Sequence, residues 1–176
     1  MTGKTHALIG ASSVWALTLI PGAVTTYNVG PLCVLATFGA LLPDLDAGAS
    51  TIRSLKVGSF RPFDAIGFAA YRTWGHRALL HSPAGLIAFA GLCVPVGLLW
   101  GAVPAAALWL GYASHLAGDA CTRTGIPGWP NRTDRRLYLL PPGRRLVTGS
   151  FHEEILIPIF AILVLVLLFS HFPLYR

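Results

Sequence analysis

The chain has 176 residues, of which 54% are hydrophobic and only 11% charged, and its formal net charge is +6. A soluble domain carries about a quarter charged residues, so this composition excludes an ordinary soluble protein and points to one embedded in a membrane. Cys33, Cys93 and Cys121 lie in or beside apolar stretches without paired spacing, so neither a disulfide framework nor a thiolate metal site is indicated, and they read as small core residues. The basic residues flank apolar runs, where orientation and attraction to anionic lipid explain them more simply than nucleic acid does.

In chain order, Ala7 to Pro43 holds no charged residue. That run exceeds one span of about 20 residues and suits two, divided at 25–31, which has turn chemistry. A signal peptide is the alternative for the first half. The minimal basic region before it and the second apolar stretch directly after it predict that it is retained. Residues 44–77 form a polar interlude with Arg53, Lys56, Arg61, Arg72 and Arg77. Phe63, Ile66, Ala70 and Trp74 recur in it at helical spacing, which predicts a short amphipathic helix at the interface or a cover over the bundle end.

A second uncharged run extends from Ser82 to Ser114, again about two spans, with a break at 101–104. Ser82-Pro83 reads as an N-cap followed by proline at the first helical position, which leaves His81 just outside the helix mouth. Residues 121–150 are the longest polar segment, with 137–140 a short strand or a membrane-touching loop; Asp64 and Asp134 read as loop charges. A last apolar span starts at Ile155, with Pro158 early enough to be tolerated.

The predicted fold is a single all-α integral membrane domain over 1–176, with five transmembrane helices in an up-down bundle at about 7–26, 30–45, 82–100, 103–119 and 153–171. The interfacial helix and the polar loop belong to segments 46–81 and 120–152. Lys4 and the two polar segments carry every Lys and Arg except Arg176, and the two opposite turns carry none. The positive-inside rule makes that side cytoplasmic, with the N-terminus inside and the C-terminus outside.

This threading gathers polar groups at the same end. His6 opens the first span, Asp44 and Asp46 close the second, His76 and His81 precede the third, His115 and Asp119 close the fourth, and Glu153 opens the fifth. His115 and Asp119, four apart, share a helix face, as two ligands of one metal would. Each group also has a plainer reading: capping or solvation for Asp44 and Asp46, a Ser150-x-x-Glu153 capping box for Glu153, a polar helix end for His115 and Asp119. Taken together, His6, Asp44, Asp46, His76, His81, His115, Asp119 and Glu153 form a candidate metal-ligand set. Histidines and carboxylates without cysteine suit a hydrolytic zinc or manganese centre of two or three ions. Asp44, Asp119 and Arg77 are the candidate catalytic groups. Arg77, and less directly Lys4 or Arg72, would hold phosphate oxygens, with snorkelling as the alternative for Arg77.

Met1-Thr2-Gly3-Lys4-Thr5-His6, Leu42-Pro43-Asp44-Leu45-Asp46, Gly75-His76-Arg77 through His81-Ser82, Gly111-Tyr112-Ala113-Ser114-His115 through Asp119, and Thr148-Gly149-Ser150 with Glu153 together resemble the YdjM-like family of membrane-bound metal-dependent hydrolases. The likeness covers nearly the whole chain in motif order. More distantly, the His-x-x-x-Asp element is similar to that of zinc-dependent phospholipase C, which acts on phosphodiesters. Leu80 departs from the pattern, where members often carry Thr before the His-Ser pair, so a hydroxyl role there is absent.

The resulting expectation is a cytoplasm-facing metallohydrolase acting on a phosphoester of a lipid or lipid-linked substrate, with the bilayer as partner, no nucleic acid, and an open oligomeric state. A small transporter and a non-catalytic metal-binding scaffold are the rivals. A through-path would place ionisable residues at mid-span or on both sides, and the far half of this chain is nearly bare of them.

Overall fold

The computed structural model describes residues 1–47, 50, 52–56, 58–74, 79–130 and 132–171. Six α-helices dominate them: α1 (Gly3–Ser12), α2 (Val29–Leu41), α3 (Pro62–Trp74), α4 (Pro83–Trp100), α5 (Ala102–Ala120) and α6 (Phe151–His171). Tighter 3-10 segments continue α1 over Ser13–Leu19 and α2 over Leu42–Asp46.

Where the sequence predicts one helix over 7–26, the α-helix stops at Ser12 and tightens. Ser13 Oγ donates to the Gly10 carbonyl and Thr18 Oγ1 to the Trp15 carbonyl, both at 2.7 Å, so hydroxyls compete for the helix's own acceptors. The tighter winding also lengthens the segment. With about 1.5 Å of rise per α residue and about 2.0 Å per 3-10 residue, Gly3–Leu19 reaches about 29 Å, close to a hydrocarbon core of about 30 Å.

Among the described residues, three segments are long and apolar enough to cross a membrane: Val29–Asp46, Pro83–Trp100 and Phe151–His171. Leu92, Leu98 and Leu99 on α4 and Ile162 and Phe169 on α6 face outward and exposed. In water such surface would be a liability; in lipid it is the expected exterior.

The centre is built from α1, α2 and α5, which pack through small residues, as helices in lipid do when they approach closely. A Cβ on Gly39 would fall 2.1 Å from the Leu108 carbonyl oxygen, and one on Gly111 only 1.9 Å from that of Ala36. These two contacts set the α2–α5 distance. Val14, Leu32, Ala36, Ala107 and Leu167 fill the core on the far side of them.

One expectation is corrected. Among the described residues the fold is not wholly helical: β1 (Ile126–Trp129) and β2 (Arg132–Leu137) pair antiparallel, with Ile126 opposite Leu137. Pro127, Gly128 and the charges of 132–136 read locally as loop. Ile126 nevertheless buries against Tyr112, Leu116 and Ala120, a tertiary contact that overrides local preference. Asp134 therefore lies on β2. Asp64, also expected in a loop, sits in the first turn of α3, where Arg53 Nε and Nη2 donate to it at 2.9 and 2.6 Å. α3 lies on the Leu42–Asp46 turn, with Gly67 against the Leu45 carbonyl.

Candidate metal centre

Five of the expected side chains meet at one end of the helices. His6 comes from the first turns of α1, Asp44 from the turn after α2, His81 from the residues before α4, and His115 and Asp119 from the last turns of α5. Local sequence explains each position. Pro43 starts the 3-10 turn that carries Asp44, and Ser82 Oγ caps α4 by accepting from the Gly85 amide at 3.2 Å, fixing the chain just after His81.

The groups form two overlapping sets, His6–His115–Asp119 and Asp44–His81–His115, and within each set the ligand atoms lie within 4.8 Å of one another. Asp119 faces both. Its Oδ1 is 3.2 Å from His6 Nε2, and its Oδ2 is 3.7 Å from His115 Nε2 and 3.9 Å from His81 Nε2. Asp44 Oδ1 is 3.4 Å from His81 Nε2 and 3.9 Å from His115 Nε2. His6 and His115 stack with ring centroids 3.6 Å apart.

Hydrogen bonds outside the cluster orient the rings. His115 Nδ1 is 2.7 Å from the Ala40 carbonyl, which can only accept, so Nδ1 carries the proton and the Nε2 lone pair faces inward. That bond depends on the Gly39 and Gly111 contacts that draw α2 against α5. Tyr112 donates its hydroxyl to the Leu80 carbonyl at 2.6 Å and so holds the segment bearing His81. Asp46, expected as a ligand, instead lies 3.6 Å from His81 Nδ1, the nitrogen turned away from Asp44 and His115.

The electrostatics favour positive charge among these carboxylates. His6, His81, His115, Asp46 and Asp119 are all 2% exposed or less. Buried carboxylates are stable as anions only when paired. The α-ammonium of Met1 donates to Asp119 Oδ1. Burial alone would lower the His81 pKa, but its contacts with Asp44 and Asp46 and the charge of Asp119 outweigh burial and raise it. The residues also fit a divalent metal on grounds independent of charge: His6 Nδ1 is buried without a hydrogen-bond partner, and the His81 and His115 Nε2 atoms face each other at 3.3 Å, close enough to share one cation.

Glu153 lies outside both sets. Its carboxylate accepts from the Thr2 and Gly149 amides, the latter at 2.7 Å, and so ties the start of α6 to the start of α1. These bonds are not those of a Ser150-x-x-Glu153 capping box, because Ser150 Oγ has no hydrogen-bond partner. His76 and Arg77 fall outside the described residues. Sequence reasoning missed the roles of Met1, Ala40 and Tyr112; Met1 and Tyr112 left a trace, each standing in the same motif as a ligand, His6 or His115.

A family model described as the YdjM inner membrane protein matches residues 1–174. The chain belongs to the YdjM family. It is 31% identical to YvsG of Bacillus subtilis, described as uncharacterized, over 89% of this chain and 88% of that protein. It is 32% identical to the inner membrane protein YdjM of Escherichia coli, and equally to that of Shigella flexneri, over 81% of this chain and 72% of theirs. No solved structure matches. This YdjM-family chain is thus a membrane protein with buried histidine and aspartate groups able to hold a metal ion.

Proposed function

We propose that the protein is a membrane-embedded, metal-dependent hydrolase that cleaves a phosphoester of a lipid or lipid-linked substrate. The observation that carries this reading is Asp119, whose two oxygens face two different groups of histidine nitrogens. A carboxylate so shared is the natural bridge of a two-ion site. His6 would hold one ion and Asp44, His81 and His115 the other, with zinc or manganese best suited to the donors. When bound, such ions polarise a phosphoryl oxygen and make water a better nucleophile.

The chain's own groups have distinct tasks in this account. Asp44 is 17% exposed, against 1% for His81 and Asp119, so the cluster opens on its side. Water and headgroup would approach there, and the Asp44 carboxylate would take the proton that the water gives up. Asp46 would hold His81 in register, and Arg77, if it reaches the opening, would bind phosphate oxygens.

The arrangement in the bilayer is part of the proposal. Five passes, with the Gly3–Leu19 segment and α5 added to the three apolar spans, put the cluster and the basic segments at the cytoplasmic face of the inner membrane. A lipid headgroup then reaches the cluster while its tails remain in the bilayer. α4 has no Asp, Glu, His, Lys or Arg and α6 has none between Glu154 and His171, which argues against an ion path.

The test is turnover by the purified, metal-loaded protein on a panel of phospholipids and lipid phosphates. Asp44→Asn should lower the rate by about a hundredfold or more, the scale of losing a positioned general base. Full metal content with no turnover on any substrate would instead assign the buried cluster to a structural ion.

A further inference from the structure

Two cavities are lined by none of the cluster residues. One is an apolar groove of about 240 Å³ in which Leu86 of α4 and Ala113 and Ala117 of α5 form the floor and Ile126, Tyr138 and Leu139 the roof. The other is a cavity of about 460 Å³ lined by Arg123, Arg144, Arg145, Ser150 and His152. They meet at one contact: the Arg145 guanidinium lies 3.4 Å above the ring of Tyr138, so one side chain of each cavity forms their shared wall. Backbone bonds hold the polar segment in this place, from Leu139 to the Ala120 carbonyl at 2.9 Å and from Leu146 to the Cys121 carbonyl at 3.0 Å.

We infer that the groove and the arginine-lined cavity together form a binding site for one anionic phospholipid, with an acyl chain in the groove and the phosphate-bearing headgroup in the cavity. Charge and polarity select this occupant. The groove floor is apolar, Leu86 of α4 with the small Ala113 and Ala117 of α5, and Ala117 is exposed, so the groove takes a hydrocarbon chain. The cavity supplies three guanidinium groups, the donors best matched to phosphate oxygens. Ser150 Oγ, which lines it, is buried without a hydrogen-bond partner, a donor waiting for an acceptor. The site also adjoins the metal centre through continuous chain: Asp119 belongs to the cluster, Ala120 to the groove and Arg123 to the cavity. As an assignment of substrate class this rests on the hydrolase reading; as a binding site it does not.

The experiment is native mass spectrometry of the purified protein with equal amounts of phosphatidylglycerol and phosphatidylcholine of the same chains, repeated with Asp44→Asn so that binding is read without turnover. Wild type should retain phosphatidylglycerol in preference to phosphatidylcholine, and glycerol phosphate alone should not displace it. Arg123→Gln should reduce phosphatidylglycerol retention about fivefold and leave phosphatidylcholine unchanged, the loss expected for one basic group at a membrane surface. Ala117→Trp, which fills the groove at an exposed position, should weaken both lipids about tenfold, the loss of a couple of buried methylenes. Metal content equal to wild type in both variants shows that they are folded. Equal retention of the two lipids by wild type, displacement by glycerol phosphate, or unchanged retention in Ala117→Trp would overturn the site. Selective retention without hydrolysis would leave the site standing while the hydrolase reading fell.

Discussion

Asp44 and Asp46 stand two residues apart and approach the same imidazole from opposite edges, one at Nε2 and the other at Nδ1 of His81. Their tasks should therefore separate. Asp46→Asn is expected to weaken zinc affinity about 10- to 100-fold, the usual cost of losing a carboxylate behind a metal-ligating histidine, while the site still fills at high zinc. Competition against a chromophoric chelator measures this, and an unchanged affinity would reduce Asp46 to a buried charge. His81 also sets a pH dependence, because Asp44, Asp46 and Asp119 face it and together raise its pKa above 6.5, while His115 lies across from it. The protonated ring stabilises the metal-free protein fully below the unfolded-state value, and that contribution is lost as pH rises through the raised folded-state value. Metal binding needs the neutral ring, so the sign is opposite. Melting temperature of the metal-free protein should fall, and zinc affinity should rise, as pH increases from 6.5 through the raised value; parallel trends would contradict this role for His81. Sequence made His6, Asp44, His81, His115 and Asp119 legible because each stands at the end of an apolar run. The place of Asp46 was not legible, since a two-residue offset assigns a face only once the turn is known to be 3-10. Glu153 was ambiguous for a related reason: a capping box and a ligand use the same residue at the same spacing.

Among the elements, α2 and α5 carry the site's geometry through their closest contact. Gly111→Ala would drive a methyl into the Ala36 carbonyl, at a cost of about 1–3 kcal/mol, and by separating the helices would pull the Ala40 carbonyl from His115. Melting temperature and metal content should fall together. Gly91→Ala, at a helical position with open space around it, should instead leave metal content intact and raise stability by up to about 1 kcal/mol, because alanine favours the helix. If both variants behave alike, close helix approach is not what orients His115. The helix α3 could be read from periodicity, but of the face so named Phe63 packs against the bundle while Ile66 is exposed. The β1–β2 hairpin could not, because what holds it is Ile126 against α5, a partner distant in sequence.

At the scale of the molecule, one-sided charge was the most legible feature: the basic segments alternate with two turns that hold no Lys or Arg. In a background lacking the native cysteines, Arg144→Cys should be labelled by an impermeant thiol reagent in inverted vesicles, and Tyr27→Cys in spheroplasts. Labelling of both from one side would remove the five-pass arrangement. The structure gathers histidines and carboxylates into a buried set at one end of the helices, which Asp119 joins into a whole. The most direct test of this claim is elemental analysis of the purified wild-type protein beside Asp119→Asn. The account predicts about two zinc or manganese ions per wild-type chain, as a bridged pair requires, and a loss of at least one of them in the variant with the protein still inserted in the membrane. No transition metal in the wild type, or the same metal content in Asp119→Asn, would contradict it.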